Sequence, residues 1–114
     1  MAHRGLAALV LGLVLVAPAR ADTASVVAHL EGEKAECDFL LGLCRTANRE
    51  AQFARDTPIT SRTEVLATRH ALKARMSAED ALEAGRALKD KHGGKPLECF
   101  DDPECAFVKA RLFR

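Results

Sequence analysis

The stretch Glu36-Cys37-Asp38-Phe39-Leu40-Leu41-Gly42-Leu43-Cys44 decides the fold. Cys37, Leu40 and Cys44 fall at steps of three and four, the spacing of one helical face, and Val26, Leu30, Ala47, Ala51 and Ala54 extend that face over residues 24–55. Opposite it lie Glu31, Lys34, Asp38, Arg45 and Arg49, as a solvated face requires. Thr23 or Ser25 is placed to cap the start. Gly32 and Gly42 each cost about 1 kcal/mol in a helix interior relative to Ala, and a kink or close helix packing is expected near Gly42.

Downstream, Asp56-Thr57-Pro58 stops the helix, because Pro disfavours helical geometry in the residue before it and has no N–H to donate. Ser61 stands three residues before Glu64, a capping-box spacing that opens a second helix carrying Val65, Leu66, Arg69, Leu72 and Met76. Ser77 and Asp80 repeat the signature, so either a third helix starts at Ala78 or one long helix passes through. Lys89, Lys91 and His92 before Gly93-Gly94 form a C-terminal stop, and Lys95-Pro96 begins an extended linker. Asp101-Asp102-Pro103-Glu104 then opens a last helix that reaches about Phe113. Strict apolar–polar alternation is missing. The expected class is all-α, a small bundle of three to four helices stapled by two disulfides.

The staples follow from Cys37, Cys44, Cys99 and Cys105. Cys37 and Cys44 share a helical face but stand about 10.5 Å apart along its axis, beyond the roughly 7 Å that a disulfide spans. They must therefore pair with Cys99 and Cys105. An antiparallel return gives Cys37 with Cys105 and Cys44 with Cys99, the pairing we expect; a parallel return gives Cys37 with Cys99 and Cys44 with Cys105. Intervals of six and five residues fit neither a Cys-x-x-Cys redox motif nor a zinc knuckle.

Export supplies the oxidising setting. Arg4, the apolar run Leu6 to Ala17 and the small-residue ending Ala19-Arg20-Ala21 read as a signal peptide, residues 1–21, cut after Ala21. The run is 12 residues, against roughly 20 for a membrane-spanning helix, and Asp22 at the new N-terminus offers no lipidation site. The mature part, residues 22–114, is then one domain that is periplasmic or secreted, with no transmembrane segment. Losing Arg4 and Arg20 leaves 15 basic against 16 acidic residues, a balance that argues against nucleic acid as a partner.

Chemistry-bearing motifs are sparse. His29, His70 and His92 form no pair with metal-ligand spacing, and nucleophile-elbow, phosphate-loop and calcium-loop patterns are missing. Glu98, Asp101, Asp102 and Glu104 form an acidic cluster that helix capping explains. No catalytic, cofactor-binding or metal residue is assigned. The last segment carries Phe107, Lys109, Arg111, Phe113 and Arg114, a short basic amphipathic surface suited to a partner, although at this length packing on the first helix through Cys105 is the reading preferred, with Phe113 left partly available. The expected function is a non-enzymatic exported module that binds another protein. The alternatives are a metal-binding or redox protein using the four cysteines, and a membrane-active effector using the C-terminal helix.

Overall fold

The computed structural model describes residues 17–113. Residues 1–16 of the expected leader, and Arg114, lie outside the described residues. Among the described residues there are four α-helices, two 3-10 turns and no strand: α1 (Ala17–His29), α2 (Glu33–Asp56), α3 (Glu64–Lys91), the turns Glu98–Asp101 and Pro103–Cys105, and α4 (Ala106–Leu112). The chain is all-α and doubly stapled, as its patterning requires. None of these helices is long and apolar enough to cross a membrane.

The single helix expected over residues 24–55 is two helices. Its break falls at Gly32 and not at Gly42, because Gly32 takes φ +95°, a left-handed conformation that costs Gly little. Lys91 fixes the corner: its Nζ donates to the carbonyls of Val27 (3.1 Å) and Leu30 (2.8 Å) at the C-terminal end of α1. Gly42 sits within α2 with nothing near its missing Cβ. The expected cut after Ala21 falls inside α1. Thr23 and Val27, which remain after it, are both buried.

From Ser77 to Ala78 the helix runs on unbroken, so α3 is one element of 28 residues, about 42 Å long. Its start also differs from the expected Ser61 box. Thr63 is the cap residue, and the turn is tied by hydroxyls: Thr60 Oγ1 and Thr63 Oγ1 lie 2.8 Å apart, and Thr63 Oγ1 donates to the Pro58 carbonyl. The far end stops as its sequence dictates. Gly93 (φ +66°) and Gly94 (φ +87°) turn the chain, and Gly94 N–H donates to the Lys89 carbonyl at 2.8 Å.

After that turn the chain reverses once more. Residues 97–105, expected as an extended linker and a helix start, wind into the two 3-10 turns, with the Asp102 carboxylate accepting from Glu104 N–H at 2.8 Å. Helices α2 and α3 are antiparallel, so the second reversal sends this segment parallel to α2. The disulfides are accordingly Cys37–Cys99 (Cα–Cα 5.4 Å) and Cys44–Cys105 (Cα–Cα 5.3 Å), which corrects the nested pairing. Seven α-helical residues rise about 10.5 Å and six residues near 2 Å each in 3-10 geometry rise about 12 Å, so the two cysteine pairs are in step.

Around these bridges lies the core. Leu40, Cys44, Ala84, Leu88, Phe100, Cys105 and Val108 are wholly buried, with Val27 beside them. Gly85 lets α4 approach α3: a Cβ there would stand 2.7 Å from Val108 Cγ1 and 2.9 Å from Leu112 Cδ1. Gly85→Ala should gain about 1 kcal/mol of helix propensity yet cost about 1–3 kcal/mol by overpacking. A net fall in thermal stability is the expected result; a more stable variant would show that α4 does not seat there.

Candidate interaction surface

Every functional candidate depends on which face each helix turns inward. On α3, Ala67, Ala74, Ala81 and Leu88 recur every seven residues; Ala67, Ala81 and Leu88 are buried and Ala74 is half-buried. On α2 the matching series are Leu40 and Ala47, and Cys37, Cys44 and Ala51. Small residues on both sides let the helices approach closely. In the N-terminal half of α3 three bulkier apolar residues face the other way: Val65 is 66% exposed, Leu72 47% and Met76 49%, with Arg69 exposed between them. Val65, Thr68, Arg69 and Leu72, together with Glu64, line a shallow groove of about 460 Å³.

Beyond the Cys44–Cys105 staple the hairpin projects as an arm two helices thick, and its end is apolar. Ile59 in the α2–α3 turn is 74% exposed, Phe53 44% and Leu66 45%. These exposed apolar side chains make the end of the arm a candidate contact surface.

Two buried carboxylates on α2 hold the hairpin closed. Near the staples, Glu36 accepts from Lys91 Nζ at 2.6 Å and lies 2.9 Å from His92 Nε2. Burial alone pushes its carboxyl up, but the hydrogen bonds and charges of Lys91 and His92 outweigh that and hold it below the ordinary value of 4.5. In the arm, Glu50 lies 2.5 Å from His70 Nδ1 and 3.7 Å from Lys73 Nζ. The hydrogen bond to His70 is the main cause that lowers its carboxyl, opposed by burial and aided by Lys73 and Arg49. The His70 ring also rests 5.3 Å from the Phe53 ring. Both groups are depressed in the folded chain, so their contribution is complete above the unfolded Glu value and is lost as pH falls through the lower folded value. Unfolding experiments should show constant stability down to about pH 5 and a decline below about pH 4. In Glu36→Gln that decline should be shallower, and an unchanged acid limb would remove Glu36 from the explanation.

The C-terminal residues are placed as follows. Phe107 is half-buried against the core and lines a cleft together with Ala47, Ala51, Ala74 and Ala78. Phe113 packs edge-on against Phe100 at 5.0 Å, with Lys89 Nζ 4.9 Å over its ring. Lys109 pairs with Asp101 at 2.5 Å. The two Phe rings are thus half-buried, Lys109 and Arg111 are exposed, and Arg114 lies outside the described residues.

The acidic cluster is likewise taken up by structure: Asp101 holds Lys109, Asp102 caps its turn, and Glu104 accepts from Asn48 Nδ2 through both its side chain and its carbonyl at 2.8 Å. A groove lined by Glu33, Lys34, Leu41, Glu98, Asp101 and Asp102 lies over the Cys37–Cys99 bridge. Among the described residues no group of three or more His, Cys, Asp or Glu is arranged to hold a metal ion, and no cysteine is free. The outward stripe of α3 is missed by sequence reasoning, although the seven-residue alanine series is there to reveal which face turns in. No protein family, curated protein or solved structure matches this chain.

Proposed function

We propose that this chain is a non-enzymatic exported module whose stapled base presents the α2–α3 arm to a partner protein. The carrying observation is the outward apolar stripe Val65, Leu72 and Met76, large side chains left exposed although alanines fill the interior face of the same helix. Supporting it, all four cysteines are joined in pairs, which leaves no thiolate for metal or redox chemistry. Removal of residues 1–21 in an oxidising compartment, periplasmic or extracellular, agrees with those pairs.

Mass measurement of the exported protein should give an N-terminus at Asp22. Cross-linking the tagged mature chain in its own compartment, with Leu72→Glu and Arg111→Glu compared against the parent, tests the surface. Leu72→Glu should lose partner adducts at least tenfold, as expected when a charge enters an apolar contact centre, while Arg111→Glu keeps them. Equal recovery from all three proteins would refute the reading.

A further inference from the structure

We propose that Cys37–Cys99 is a reducible bridge, the site at which an outside dithiol acts on the folded chain, while Cys44–Cys105 is a permanent staple. The two bridges differ in access. Cys44 and Cys105 are wholly buried, in the core that also holds Leu40, Phe100 and Val108. Cys37 is half-buried and Cys99 is 5% exposed, and both line the open groove of about 720 Å³ between the start of α2 and the first 3-10 turn. Disulfide exchange requires a thiolate to reach a sulfur atom, so access decides which bridge reacts first.

The oxidised chain has no free cysteine, so the attacking sulfur comes from the dithiol. Its thiolate forms a bond to Sγ of Cys37, the more exposed of the pair. The Sγ–Sγ bond breaks, and Cys99 leaves as a thiolate that takes a proton from water. The second thiolate of the dithiol then attacks the mixed disulfide and releases Cys37, which is protonated in turn. Two electrons pass to the chain, and the dithiol ends as a disulfide.

Charges around the groove select the reductant. Lys34 is paired with Asp38 at 2.9 Å and Asp101 with Lys109 at 2.5 Å, so these charges offset each other. Glu33, Glu98 and Asp102 keep the lining negative. Glu33 accepts from Glu98 N–H at 3.5 Å and Asp102 from Glu104 N–H at 2.8 Å, bonds that leave both carboxylate charges in place. A thiol carrying a further negative group is repelled there, and an otherwise uncharged dithiol is favoured. Opening this bridge releases the first 3-10 turn from the start of α2, while Cys44–Cys105 still holds the base together.

Timed reduction of the oxidised protein with dithiothreitol, followed by alkylation and peptide mapping, tests the inference. Cys37 and Cys99 should be alkylated together, at least about tenfold faster than Cys44 and Cys105. Circular dichroism of that intermediate should retain the helical spectrum, which shows that the folded chain reacted. At low ionic strength 2-mercaptoethanesulfonate should react several-fold more slowly than 2-mercaptoethanol, each scaled to its rate with a small disulfide, and added salt should close the gap. Thioredoxin lacking its resolving cysteine separates the two sources of a dithiol: its capture on Cys37 supports a protein, and selective reduction by dithiothreitol without that capture supports a small molecule. Alkylation of all four cysteines at one rate overturns the inference, as do prior opening of Cys44–Cys105, loss of helix in the intermediate, or equal scaled rates for the two monothiols.

Discussion

Replacing Cys44 and Cys105 together by alanine should lower the unfolding free energy by about 4 kcal/mol. The bridge joins residues separated by 61 positions, so its removal restores to the unfolded chain the freedom of a long loop. Both cysteines are wholly buried beside Val108, so the shorter side chains also leave unfilled space. For a domain of this size this is a large share of the usual stability of about 5–15 kcal/mol. Urea unfolding of the oxidised parent and the variant measures it. A loss below about 1 kcal/mol would mean that packing alone secures the base.

Phe100→Ala should cost about 3–5 kcal/mol, the range for emptying a buried aromatic site. Phe100 is wholly buried, touches the edge of Phe113, and sits 3.4 Å from the position a Gly85 Cβ would take. It therefore ties the 3-10 segment to α3 and α4 at once. For a domain of this size the melting temperature should fall by about 15 °C or more. Phe53→Ala offers the contrast: that ring is 44% exposed on the arm, and its loss should cost about 1 kcal/mol or less. Equal costs at the two sites would contradict the division into a packed base and an open arm.

The helical class, the stop at Gly93-Gly94, the Asp102 cap and the use of all four cysteines in bridges are legible in the sequence because each is a local matter of spacing or backbone preference. The pairing of the cysteines is not local. It depends on how many times the chain reverses between Cys44 and Cys99, and the turn at Gly93-Gly94 supplies the second reversal that makes the return parallel to α2. The break at Gly32 is equally hard to see, since Gly32 and Gly42 differ only in what surrounds them. Lys91, distant in sequence, captures the carbonyls of the first corner and has no counterpart at the second.

The outward stripe of α3 shows a different difficulty. Val65, Leu72 and Met76 have helical spacing and apolar side chains, the same signature as a core face. Only the competing series Ala67, Ala74, Ala81 and Leu88, together with the matching small residues of α2, reveals that the interior is already occupied. Phe107 and Phe113 are easier to read: the last segment is expected to pack near Cys105 with Phe113 partly available, and both rings are half-buried, Phe113 against the edge of Phe100.

Photo-cross-linking of the oxidised protein with a reactive side chain at either Leu72 or Lys109 tests the arm as the proposed working surface most directly. Leu72 stands on the outward stripe of α3, and Lys109 lies on α4, paired with Asp101 at the base. Protein adducts should form from position 72 and be scarce from position 109. Adducts from position 109 with none from position 72 would contradict the assignment and return the binding surface to the C-terminal helix.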